Sequence, residues 1–151
     1  MFLYGVVVLG AHLRAELRSS PPASCVLEMR PWLVSAPACA LVELNCHNTP
    51  QYTGAYEDQY AIFGQLSLMS LEHVVFRHCT RIQIPYHIQL ADSLVGFKIY
   101  DSTVMNWAAD AALTETHHRR LRFAFFVRTN FSNATLPDVS QKIYTSDGLL
   151  V

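Results

Sequence analysis

Seven histidines and four cysteines are the side chains of this 151-residue chain best suited to chemistry. Zinc is the first possibility to weigh, because Cys46-His47 and His78-Cys79 are adjacent sulfur and nitrogen donors. Neighbouring residues on a strand point to opposite faces, however. None of the spacings matches the CxxC or HxxxH sets that close a tetrahedral site, so no metal or cofactor is expected. A Cys-His hydrolase needs a partly exposed thiol of lowered pKa. Cys79 falls where a side chain should be buried and inert, so no catalytic residue is assigned and the chain is read as a non-enzyme. His117-His118 follow a short helix expected over Ala108 to Leu113, capped by Asn106, where imidazole complements the C-terminal dipole.

The positions of the cysteines lead back to the elements that must hold them. Four stretches share one pattern, two apolar residues at alternate positions and a small polar or thiol residue three places later. They are Leu44, Cys46, Thr49; Val74, Phe76, Cys79; Phe97, Ile99, Ser102; and Phe125, Val127, Asn130. Counted from 49 to 79, 79 to 102 and 102 to 130, the copies lie 30, 23 and 28 residues apart, near the period of stacked solenoid repeats. Alternation puts the apolar pair on one face of a short strand. The polar residue can then bond the backbone where the chain turns out of it. Leu41, Leu71 and Leu94 precede the first apolar member by three, whereas the fourth copy has Arg122 there. Ile84-Pro85 and Leu136-Pro137 supply Leu-Pro-like endings. The fold expected is an α/β leucine-rich-repeat solenoid, a short irregular array of about four coils with a parallel sheet. Four unrelated amphipathic strands are the competing reading. Tyr56, Tyr60 and Phe63 fall at i, i+4 and i+7 and predict a helix of about three turns between the first two strands.

Composition narrows the function. The charge of −1 argues against a nucleic-acid partner. The basic runs Arg14 to Arg18 and His117 to Arg122 are short and read as solvated faces. Residues 1–18 read as a truncated membrane-proximal apolar segment, since Met1 to Leu13 carry no charge and a spanning helix needs about 20 residues. Residues 19–50 read as a linker and N-terminal cap with the first strand, 51–137 as the irregular repeats and 138–151 as a tail that does not continue the motif. In an oxidising compartment a Cys25 to Cys39 bridge would close a loop of roughly 15 residues and add on the order of 3 kcal/mol. A Cys25 to Cys46 pairing stays open, and Cys46 and Cys79 otherwise read as buried thiols.

Several strings, taken in order, carry a resemblance. They are Arg-Pro-Trp at 30 to 32, Pro-Ala-Cys at 37 to 39, Glu-Leu-Asn-Cys at 43 to 46, Phe-Arg-His-Cys at 76 to 79, Lys-Ile-Tyr at 98 to 100, Ala-Ala-Leu-Thr at 111 to 114 and Val-Arg-Thr-Asn at 127 to 130. From Cys25 to about Pro137 the chain resembles the leucine-rich-repeat ectodomain segment of large oomycete membrane proteins. The resemblance implies a repeat domain flanked by membrane helices, extracellular or luminal, with no catalytic residues. The function expected is a protein-binding platform that takes a protein or peptide on its strand face. A truncated structural fragment without independent function is the alternative.

The repeat alignment names the outward columns. Asn45, Val75, Lys98 and Phe126 form one, and His47, Arg77, Tyr100 and Arg128 the next, the latter suited to an acidic peptide. It also separates two Asn-X-Ser/Thr acceptors. Asn130 takes the inward turn position and is expected to be unmodified, whereas Asn133 lies beyond the strand and is expected to carry a glycan.

Overall fold

The computed structural model describes residues 2–17, 20–31, 34, 36–132 and 143–145. The elements run α1 (Phe2–Glu16), β1 (Cys25–Met29), β2 (Ala38–Asn45), α2 (Tyr56–Phe63), β3 (His73–Arg77), β4 (Ile82–Gln83), β5 (Gly96–Asn106), β6 (Phe123–Phe131) and β7 (Ile143–Thr145). Single 3-10 turns at Leu68–Ser70, Tyr86–Leu90 and Ala109–Ala111 fill the connections. The architecture is mixed α/β around one open, mostly parallel sheet. Its strands lie in the order β1-β2-β3-β5-β6-β7, with β4 added beside the second half of β5. Only β1 runs antiparallel, at the edge beside β2.

Register decides which side chains stack. Val42, Val74, Phe97 and Ala124 are aligned across β2, β3, β5 and β6, and so are Leu44, Phe76, Ile99 and Phe126. All eight are buried. Three places before the first row, Cys39, Leu71, Leu94 and Leu121 are buried as well. The backbone between them forms its own ladder: Glu72 N–H donates to Ala40 O at 2.9 Å, Val95 N–H to Glu72 O at 2.7 Å and Arg122 N–H to Val95 O at 2.8 Å. The connections close the other side of the core with Ile62, Phe63, Ile82, Ile88, Trp107 and Leu113.

Two parts of the expected alignment are corrected. In β6 it is off by one residue. Phe126 is only 3% exposed and Ala124 is fully buried, whereas Phe125 and Val127 are half-buried on the opposite face. The run Phe-Ala-Phe-Phe-Val is apolar at both parities, so alternation cannot choose a face. The neighbouring strand chooses instead: Phe97 fills the space opposite Ala124, and Phe126 packs edge-on to Phe97 and Trp107, with ring centroids 6.5 and 6.0 Å apart. With the register restored, Leu121 rather than Arg122 holds the leucine position. In β2 the parity holds but the row is displaced by two, because Leu44, not Cys46, pairs with Phe76.

The kinks after the inward pairs repeat too. His78, Asp101 and Arg128 each follow the second inward residue by two, and each has a left-handed backbone, with φ of 54°, 45° and 50°. Such a kink costs a non-glycine residue roughly 1–2 kcal/mol. Backbone bonds offset it, since Cys79 N–H donates to Ser102 Oγ at 3.0 Å and Ser102 Oγ donates to Tyr100 O at 2.6 Å. Thr129 Oγ1 lies 3.3 Å from both Ile99 O and Val127 O. Thr129, not Asn130, is therefore the turn residue of the fourth copy, and Asn130 is exposed. The reason for excluding a glycan from Asn130 is thereby removed. Asn133 lies outside the described residues, as do Trp32, Leu136 and Pro137.

All four cysteines are paired, Cys25 with Cys39 and Cys46 with Cys79. The first bridge staples the edge strand β1 to β2. The second corrects the reading of Cys46 and Cys79 as thiols, and it joins the end of β2 to the kink after β3. Their loops, with separations of 14 and 33 residues, correspond to about 3 and about 4 kcal/mol in the chain-entropy account. The tail, expected to leave the motif, contributes β7, which pairs in parallel with Ala124, Phe125 and Phe126 of β6. Helix α2 is 8 residues long, shorter than its spacing predicted.

The expected helix over 108–113 is a 3-10 turn instead, and His118 is not at a helix end. It is buried, accepts from Thr114 N–H at Nδ1 (3.2 Å) and donates from Nε2 to Ile88 O (2.8 Å). Burial lowers its pKa below the ordinary histidine value, and burial does the same to His87. Two predictions follow from this packing. Phe126→Ala should cost about 3–5 kcal/mol in urea unfolding and Phe125→Ala about 1 kcal/mol or less, the reverse of the order that the expected repeat alignment gives. Because the folded state prefers neutral His118 and His87, their contribution is complete above the unfolded histidine pKa of about 6.5 and is lost as pH falls below it. The melting temperature should drop between pH 7.5 and 5, by less in His118→Gln than in the parent chain.

Candidate functional site

The outward face of the parallel strands is the place where aligned, chemically varied side chains meet solvent. Its first row is Leu41, His73, Gly96 and Phe123, its second Glu43, Val75, Lys98 and Phe125, and its third Asn45, Arg77, Tyr100 and Val127. Eight of these, Leu41, Glu43, His73, Val75, Arg77, Gly96, Lys98 and Tyr100, line a shallow groove of about 290 Å3.

Charge and aromatic groups are interleaved along it. Arg77 Nε stands 3.4 Å from Glu43 Oε1, and its guanidinium lies over the Tyr100 ring at 5.3 Å. Lys98 Nζ lies 5.3 Å from the Phe123 centroid and 5.9 Å from that of Phe125. Those rings are 5.1 Å apart, and His73 stacks on Phe123 at 6.0 Å. Gly96 makes that stack possible. A Cβ there would come within 2.5 Å of the Phe123 ring and 2.6 Å of His73 Nδ1, so only glycine lets the two rings close over the strand. The cations thus rest against π faces rather than extending freely into water, which restrains their long side chains before any ligand arrives.

Of the residues expected on this face, Asn45, Val75, Arg77, Lys98 and Tyr100 lie on it, with Val75 beside Lys98 and Arg77 beside Tyr100 as expected. Asn45 shares a row with Arg77, not with Val75, and its Oδ1 accepts from His47 N–H at 3.1 Å and Asn48 N–H at 3.3 Å to turn the chain after β2. Three expected residues are corrected. Phe126 is in the core. His47 lies beyond β2, its ring 6.0 Å from that of His78. Arg128 sits at the kink of β6, where its guanidinium bonds both oxygens of Asp101 at 2.5 Å. His78 Nδ1 is 3.8 Å from the same carboxylate. His78, Asp101 and Arg128 form a column of their own at the kinks.

Leu41, Glu43, His73, Gly96, Phe123 and Phe125 were missed. Continuing the alternation of β3 and β5 one step upstream, from Arg77 and Val75 to His73 and from Tyr100 and Lys98 to Gly96, would have found the first row. Among the described residues, no group of three or more His, Cys, Asp or Glu side chains could hold a metal ion. With Cys79 in a disulfide, the thiol that a Cys-His mechanism requires is consumed. No family model matches the chain, and it has no match among curated proteins or among solved structures.

The kink column yields a prediction. His78→Gly should leave stability unchanged or raise it by up to about 1 kcal/mol, because glycine adopts positive φ without penalty. His78→Val should lower it by about 1–2 kcal/mol, since a β-branched residue is strained there. Thermal melts of the two variants measure both.

Proposed function

We propose that the chain is a binding platform whose outward strand face takes an extended peptide or protein segment bearing carboxylates beside apolar side chains. The single observation that carries this reading is the pair of cations from adjacent rows, Lys98 held against Phe123 and Phe125 and Arg77 against Tyr100, over an open groove. Aromatic residues and arginine dominate the energetics of protein interfaces, and restrained cations bind carboxylates at low entropic cost. Glu43 occupies one end of the second row and directs the acidic part of a partner toward Lys98.

The same reading places the chain among irregular leucine-rich-repeat solenoids. Its support is the recurrence, at Leu71, Leu94 and Leu121, of a buried leucine followed by an inward pair, a left-handed kink and then a disulfide-bonded Cys79 or a backbone-bonding Ser102 or Thr129. The resemblance to repeat ectodomains agrees with it. Two disulfides favour an oxidising, extracellular or luminal placement. Helix α1 is 15 residues long and exposes Leu3, Tyr4, Val6, Val7, Leu9 and Leu13. At 1.5 Å per residue it covers about 22 Å, short of a hydrocarbon core of about 30 Å. No helix among the described residues is long and apolar enough to cross a membrane. Its uncharged surface up to Leu13 suits a membrane-proximal position, with Arg14 and Glu16 at the water side.

The platform reading is tested by selecting peptides from a random displayed library on the immobilised, oxidised chain. Peptides enriched in Asp or Glu next to apolar residues are expected. They should bind an Arg77→Glu/Lys98→Glu variant at least about tenfold more weakly, a loss of about 1.4 kcal/mol or more. Selected peptides that bind both proteins equally would reject the strand face as the site.

A further inference from the structure

At the N-terminal rim of the sheet, just outside the strand groove, a second and larger cavity of about 590 Å3 is lined by Glu72, Val95, Arg119, Arg120, Leu121 and Arg122. Glu72, Val95 and Arg122 come from equivalent positions of three successive strands and are joined by the backbone ladder that precedes the sheet. Arg119 and Arg120 come from the connection before β6. That connection is pinned on both sides of them: His118 is bonded to Ile88 and Thr114, and Leu121 is buried and donates its N–H to His118 O at 3.0 Å. The run that reads in sequence as a solvated basic face is thus mounted on a fixed turn and gathered around one depression.

None of the three guanidiniums makes an ion pair within 4.0 Å among the described residues, although Glu72 shares the cavity with them. Three arginines against one carboxylate leave an excess of positive charge there. Guanidinium forks match the oxygens of a tetrahedral oxyanion in pairs. A bare oxyanion, however, would use only the arginines and be repelled by Glu72. A sugar ring carrying the oxyanion uses all of the lining, because its hydroxyls donate to the Glu72 carboxylate and its C–H face lies on half-buried Val95. We propose that this cavity binds a sulfated sugar unit of an anionic glycan, Arg119, Arg120 and Arg122 holding the sulfate and Glu72 a ring hydroxyl. The choice of sulfate over phosphate rests on the extracellular placement proposed above.

Isothermal titration of the full-length, oxidised chain with a heparin-derived sulfated octasaccharide tests it. Binding that weakens as salt rises is expected, with no binding of the desulfated octasaccharide. Arg119→Ala/Arg120→Ala, at exposed positions, should weaken binding at least about tenfold with an unchanged melting temperature, and the single Arg120→Lys variant should weaken it severalfold if the double variant does not fold. The preference for the octasaccharide over sodium sulfate, compared per sulfate group, should narrow in Glu72→Ala. Binding that survives the arginine substitutions overturns the site. Displacement by sodium sulfate as effective as by the octasaccharide overturns the sugar. Tighter, arginine-dependent binding of inositol hexakisphosphate overturns the choice of sulfate and with it the placement, while leaving the strand-face reading to its own test.

Discussion

Lateral stacking of two inward rows across a parallel sheet is the constraint on which the rest of this molecule depends. β2, β3, β5 and β6 each offer only two or three side chains to the core, and none could stay folded alone. Val42, Val74, Phe97 and Ala124 form one row, Leu44, Phe76, Ile99 and Phe126 the other. Their sizes are complementary across neighbours. Alanine stands beside Phe97, and Phe97 contacts Phe76, Trp107 and Phe126 at centroid distances of 5.8, 5.3 and 6.5 Å. Because packing density in a core is close to that of a crystal, such a row fits in one register only. Once the inward rows are set, every outward neighbour is set as well.

The kinks, one just after β3 and the others within β5 and β6, extend that constraint beyond the inward rows. A left-handed residue at His78, Asp101 and Arg128 turns each strand at the same height, so the polar side chain that follows meets the backbone of the adjacent strand. A backbone bent between two stacked layers would otherwise leave donors and acceptors unpaired. The first copy solves the same problem differently. Asn45 folds its own side chain onto the turn, and the bridge from Cys46 to Cys79 supplies the attachment that a polar ladder supplies elsewhere. The other bridge, Cys25 to Cys39, fastens the single antiparallel strand at the edge, where half of the hydrogen-bonding groups have no neighbouring strand.

Both candidate sites are by-products of this order. The strand groove exists because outward residues of successive strands fall into rows, placing Lys98 and Arg77 against aromatic rings that they never approach in sequence. The arginine cavity exists because the connection before β6 must bury His118 and Leu121, which leaves Arg119, Arg120 and Arg122 on the rim. One face combines restrained cations with apolar rings, the other guanidiniums that make no ion pair among the described residues with a single carboxylate. These are different chemistries and suit different ligands.

Much of the core was legible in the sequence. The pairs Val74-Phe76 and Phe97-Ile99 each follow a leucine, Leu71 or Leu94, by three places, and the repeat of that spacing assigns their faces even though Val75 between the first pair is apolar. So does the preference for a parallel sheet, which follows from strands separated by long connections. Sequence could not choose the face of β6, because Phe123, Ala124, Phe125, Phe126 and Val127 are apolar at both parities. Only the bulk of Phe97 in the next strand decides that Ala124 and Phe126 turn inward. Nor could it choose the partner of Cys46, since the row of β2 depends on the length and path of the connection through α2. The candidate site suffered accordingly: Lys98, Arg77 and Tyr100 were readable, while Phe126 and Arg128 were assigned to a face they do not occupy. Periodicity within a strand determines which residues share a face. Which strands lie side by side, at what offset, is decided by packing between segments far apart in the chain.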